Sequence, residues 1–192
     1  MKKYALVMID MQRGFIDPSS PLCIPAAAAT VPACAEVIRF CHEKNVPVFY
    51  TTRHYRADGS DVEKCRRAVW LAGGKPLSEE CEACMSDAYP EEFEVRESDY
   101  RIVKPRFSGF FGTPLDLILR RLGVNTVILA GTTTPNCIRT SCYDALSLDY
   151  DAIVLSDCTS SVTEEVQRAN LGDMERIGAQ IETVEGLRAL LG

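Results

Sequence analysis

The residue with the clearest chemical promise is Cys137, which closes the segment Gly131-Thr132-Thr133-Thr134-Pro135-Asn136-Cys137. Thr134 suits a helix N-cap and Pro135 the first helical position, so a helix is expected to begin there with the thiol in its first turn. The positive end of the helix dipole and its exposed N–H groups should then draw the thiol toward thiolate. The chain holds nine cysteines, and an arbitrary one would be structural; position singles out Cys137. A sulfur nucleophile needs a base for its proton and a donor for the charge that develops on a carbonyl substrate. Asp10, which ends the apolar run Ala5-Leu6-Val7-Met8-Ile9, can supply the first. Lys104 can supply the second: it follows Ile102-Val103 and precedes Pro105, which keeps it extended at a strand tip.

These residues must be positioned by the elements around them. Short runs rich in Val and Ile alternate with helical patterns, as in βαβ units that build a parallel sheet covered on both faces. Strands are expected over 4–9, 46–51, 101–103, 126–130, 151–155 and 179–182, and helices over 31–43, 114–122, 135–148 and 163–177. The expected architecture is a three-layer α/β/α, Rossmann-like fold with a six-stranded parallel sheet. Ligands of such sheets bind beyond the carboxyl ends of the strands, where Asp10, Arg53, His54, Lys104, 131–137 and Asp157 all fall. The stretch 54–98 breaks the alternation with Asp58-Gly59-Ser60, Gly73-Gly74 and Tyr89-Pro90, and reads as a long excursion with one short helix near 62–71. Nothing divides the chain, so 1–192 is expected to be one domain.

Composition excludes several classes. With 46% apolar and 25% charged residues the chain is globular, and its net charge of −6, with no Lys/Arg cluster longer than two, argues against nucleic acid or an anionic membrane as partner. Asp10 interrupts the apolar start too early for a secretion signal, and no apolar run is long enough to span a bilayer. An odd number of scattered cysteines favours a reduced, cytoplasmic protein over a disulfide scaffold.

Three blocks together resemble the isochorismatase-like cysteine hydrolase superfamily: Asp10-Met11-Gln12 with Phe15; Lys104-Pro105-Arg106-Phe107-Ser108-Gly109-Phe110 with Thr113 and Leu115; and Gly131 to Cys137 with Thr140, Asp144 and Ala145. The resemblance implies a triad with Asp10 as general base, Lys104 as electrostatic partner and Cys137 as nucleophile. It also implies a non-proline cis peptide at Thr132-Thr133, which would aim the amide of Thr133 beside that of Cys137 as an oxyanion hole. Phe15 would line the substrate pocket, and self-association into dimers or tetramers would be expected, with the excursion capping a neighbour's site. The family includes nicotinamidases, N-carbamoylsarcosine and ureidoacrylate amidohydrolases, and isochorismatases. Isochorismatases usually lack the cysteine, so Cys137 favours hydrolysis of a small-molecule amide or ureide C–N bond through a thioester, with isochorismatase-type or nicotinamidase-type hydrolysis as the alternative. Nicotinamidases of the family hold a metal with an Asp and two His; here only His42 and His54 exist, and no metal or other cofactor is expected.

His54 and Arg106 are placed to touch substrate, and Arg53 and Arg139 share the chance to meet a carboxylate, which a ureido acid or an acid amide would carry. A hydrogen-bonded structural role for His54 is an equal reading. The pair Cys81-Glu82-Ala83-Cys84 is the rival motif, since C-x-x-C can bind zinc or cycle as a disulfide, but zinc needs further ligands and no second pair of matching spacing exists.

Overall fold

The structure, a computed structural model, describes residues 2–192. The chain runs β1 (Tyr4–Ile9), α1 (Arg13–Ile16), α2 (Ala27–Glu43), β2 (Val48–Thr52), α3 (Arg67–Ala72), β3 (Tyr100–Val103), α4 (Leu115–Arg121), β4 (Thr126–Thr132), α5 (Arg139–Ser147), β5 (Asp151–Ser160), α6 (Glu164–Arg176), β6 (Gln180–Glu182) and α7 (Val184–Leu191). All six strands are parallel, in the order β3-β2-β1-β4-β5-β6. This is the expected α/β fold with helices on both faces.

β1 shows why the strands read as continuous apolar runs. Ala5, Val7 and Ile9 pack with Leu115, Leu119, Ile138 and Met174 on one face, while Leu6 and Met8 meet Val37, Ile38, Val184 and Leu187 on the other. A strand whose neighbours cover both faces has no solvent side to fill with polar residues.

The structure departs from expectation at several element ends. β5 continues past 155 through Ser156-Asp157-Cys158-Thr159-Ser160, a polar stretch without a strand signal. Its pairing with β4 shifts register and resumes as Gly131 with Thr159 and Thr132 with Ser160, so a neighbouring strand, not local propensity, extends it. α2 starts at Ala27 instead of 31 and carries Pro32 inside. α3 covers Arg67–Ala72 instead of 62–71, because Val62 and Glu63 turn inward before the helix begins.

The chain leaves β1 toward β2 and β3 but leaves β4 toward β5 and β6, so a crevice opens at the carboxyl ends of β1 and β4. The two strands close tightly there. Gly131, at φ +115°, sits opposite Ile9, and a Cβ at that position would stand 2.0 Å from the Ile9 carbonyl oxygen. Only glycine permits that approach. The excursion folds over the crevice as a cap, with its own apolar cluster of Phe15, Tyr55, Val62, Trp70 and Leu77. α1 ties the cap down: the Arg13 and Gly14 amides donate to the carbonyls of Ala88 and Ser86.

Candidate active site

Asp10 and Lys104 are extensions of strands. The Asp10 amide donates to Thr51 O (2.9 Å) and the Lys104 amide to Thr52 O (2.8 Å), so both hang from the end of β2 and continue its ladders by one residue. Asp10 takes a left-handed backbone (φ 52°), a conformation that Asp tolerates better than most residues. Cys137 lies in the π-helical turn Thr134–Ile138 that leads into α5, with Ile138 N donating to Thr133 O five residues back. The helix start is therefore one residue earlier than the sequence suggests. Thr134 is not the cap: its hydroxyl, like that of Thr133, donates to Ser160 O on the extended β5. The peptide between Thr132 and Thr133 is cis.

Three side chains from three strand ends meet in a dry place. The Lys104 ammonium lies 2.7 Å from Asp10 Oδ2 and 3.5 Å from Cys137 Sγ, and also donates to the carbonyls of Arg106 and Phe107. Lys104 and Asp10 are each 1% exposed and Cys137 4%. A second cation completes the cluster. Arg53, fully buried, approaches Asp10 Oδ2 (3.8 Å) and Cys137 Sγ (3.9 Å) and is anchored by Glu63 and by Tyr55 Oη (3.0 Å). Tyr55 in turn donates to Glu63 (2.7 Å), and the side-chain amide of Gln12 pairs with both the N–H and the C=O of Arg53 at 2.7 Å. Two buried carboxylates face two buried cations, the balance that makes such a cluster tolerable in the interior.

The electrostatics correct one expectation. Burial pushes the Cys137 thiol up, and the Asp10 carboxylate adds to that, against the pull of Lys104 and Arg53. The helix start thus does not set the direction here; burial and the neighbouring carboxylate do. For Glu63, burial works to raise the carboxyl, but Arg53 and the Tyr55 hydroxyl outweigh it and hold it below the usual carboxylate range.

A cavity of about 150 Å³ opens onto the sulfur. Asp10, Cys137, Asn136, Thr132 and Thr133 form its floor, and Phe15, Leu22, Ile24 and Arg66 its walls. Phe15 thus lies where the sequence puts it. His54 and Arg106 do not line this cavity. His54 faces outward and pairs with Asp87 (2.8 Å), and Arg106 donates to the carbonyls of Asp61 and Pro105. Arg53 is occupied inside the cluster, and Arg139 is held by Asn170 and Asp173. Sequence reasoning missed Leu22 and Ile24, which lie outside the periodic elements, and Glu63 and Arg66, which fall in the helix expected near 62–71 without a chemical signal of their own; only Asn136, inside the Gly131-to-Cys137 block, stood beside a signal. Cys81 and Cys84, both free, lie at the 3₁₀ turn Ala83–Met85, and among the described residues no group of three or more His, Cys, Asp or Glu gathers as a metal ion would need. No helix among the described residues is long and apolar enough to cross a membrane.

A thiol, a carboxylate and an ammonium in mutual contact at the switch point of a parallel sheet are the equipment of covalent acyl transfer. The family model described as Isochorismatase domain matches residues 4–186, and the chain belongs to that family. It is 32% identical to a maleamate amidohydrolase of Pseudomonas putida over 100% of this chain and 90% of that protein. It is 34% identical to an Arabidopsis thaliana protein named a probable inactive nicotinamidase, over 94% of this chain and 92% of that one. The crystal structure of an isochorismatase family protein from Desulfovibrio vulgaris superposes with a TM-score of 0.93 at 36% identity, covering 100% of this chain and 99% of that one.

Proposed function

We propose that the protein hydrolyses the C–N bond of a small amide or ureide through a thioester on Cys137. The observation that carries this reading is the contact of the Lys104 ammonium with both Asp10 and Cys137 Sγ, which brings a nucleophile, a base and a cation to one point. Cys137 attacks the carbonyl carbon as its proton passes to Asp10, whose Oδ1 carries no conventional hydrogen bond. The amides of Thr133 and Cys137 receive the oxyanion. Asp10 returns the proton to the leaving nitrogen, ammonia or an amine departs, and a water deprotonated by Asp10 cleaves the thioester and restores the thiol. The raised thiol fits this order of events: the resting site holds S–H beside a carboxylate, and the proton moves only as the S–C bond forms. Lys104 and Arg53 offset the negative charge beside the sulfur while it does.

The relatives support C–N hydrolysis, one of them being an amidohydrolase of an acid amide. The name of the Arabidopsis relative raises the question of activity. The test is ammonia release from a panel of short amides and ureides by the wild type and by Cys137→Ala. Release by the wild type, with none from the variant, is expected; release by both, or by neither on any member, would overturn the reading.

A further inference from the structure

Four of the basic side chains around the cavity are already committed. Lys104 and Arg53 are locked by Asp10 and Glu63, Arg106 by two carbonyls and Arg139 by Asn170 and Asp173. Arg66 lines the cavity, and among the described residues it has no acidic partner and no side-chain hydrogen bond. Its guanidinium carbon lies 4.8 Å from the centre of the Phe107 ring, within reach of a cation–π contact. A guanidinium edge matches a carboxylate with two parallel hydrogen bonds.

The opposite wall and floor say what else the ligand is. Phe15, Leu22 and Ile24 are apolar, and Asn136 is the nearest neutral polar side chain apart from the threonines. A cavity of about 150 Å³ matches the volume of roughly five waters, enough for a few carbons between two polar ends.

We propose that Arg66 binds a carboxylate at the far end of the substrate, so that the enzyme acts on short acid amides or ureido acids and not on neutral amides. This rests on Cys137 hydrolysis as the reaction and adds the substrate class. Arg66 belongs to the cap, on the turn that enters α3, and the reacting groups belong to the sheet. Binding of the acid end would therefore press the cap against the carboxyl ends of the strands, closing the crevice over the scissile bond.

The probes are four acids, maleamate, succinamate, N-carbamoylglycine and N-carbamoyl-β-alanine, each with its neutral carboxamide. Binding is measured by calorimetry on Cys137→Ala, which removes turnover, alone and combined with Arg66→Gln or Arg66→Lys. At least one acid should bind about 10- to 100-fold more tightly than its carboxamide, the worth of a charge-assisted pair. Arg66→Gln should erase that ratio and Arg66→Lys restore part of it. Equal binding of acid and carboxamide, a ratio that survives Arg66→Gln, or failure of all four acids to bind would each overturn the proposal. Turnover by the wild type separates the two readings. Hydrolysis of neutral carboxamides that needs Cys137, without acid preference, leaves the cysteine reaction standing and removes the carboxylate. Arg66-dependent acid binding without hydrolysis of any probe does the reverse.

Discussion

At the sheet edge every charge has its opposite within reach: Lys104 and Arg53 against Asp10, Arg53 against Glu63. In the cap above it, Arg66 lines the same cavity, and among the described residues no acid pairs with it. The first arrangement is closed and buried, hung on strand ends by backbone hydrogen bonds. The second is a half-buried side chain on a short helix stabilised by a small cluster around Trp70. A matched interior can move a proton without changing its net charge, which suits chemistry; an unmatched cation has affinity left over, which suits recognition. The sheet edge should therefore govern kcat and the cap KM.

Asp10→Asn should break the sheet side most completely. Removing the base is expected to lower kcat by about 10²- to 10⁴-fold with circular dichroism retained. The same variant should make Cys137 easier to alkylate. Asp10 is one of the groups that raise the thiol, and without its charge Lys104 and Arg53 act unopposed, so the rise of iodoacetamide labelling with pH should shift to lower pH. A shift in the opposite direction would show that Asp10 does not face the thiol as a carboxylate.

Glu63→Gln should separate stability from chemistry. It leaves Arg53 buried without its anchor, a change expected to cost about 3–5 kcal/mol in urea unfolding. Wild-type stability would mean that water reaches the cluster.

Trp70→Ala probes the cap. Trp70 donates to Pro76 O (2.8 Å), meets Tyr55 edge-on and follows Arg66 by one helical turn. Its loss should raise KM about tenfold or more while kcat changes only a few-fold, because the strand ends keep their geometry. An equal fall in kcat would mean that the cap helps assemble the reacting groups and that the division between the two regions is wrong. The smallest effect should come from His54→Ala. The pair with Asp87 is solvent-exposed and outside the cavity, and kcat/KM should move less than about twofold.

The sequence by itself determined the sheet and the chemistry hung on it. Tyr4–Ile9 is the strand expected from its apolar run; Asp10 and Lys104 were visible because each directly follows a strand whose end can be read from local residues alone, and Cys137 because it falls in the first turn of the helix expected after β4. The polar end of β5 could not be read this way, since its strand geometry comes from pairing with β4 and from hydroxyls of Thr133 and Thr134 that reach Ser160. His54 and Arg106 stood beside strand ends in sequence, yet their side chains find partners elsewhere before they can reach the cavity. The upward push on the Cys137 thiol was also beyond local reasoning: a helix start favours the thiolate, but the tertiary structure buries the sulfur beside a carboxylate, and both raise it. Arg66 and Glu63 come from the excursion, just ahead of its short helix. Which of them became the anchor of a buried arginine and which the open cation of the cavity was decided only when the cap folded back over the strand ends, because charge pairing across some ten residues or more of loop leaves no trace in the order of the residues.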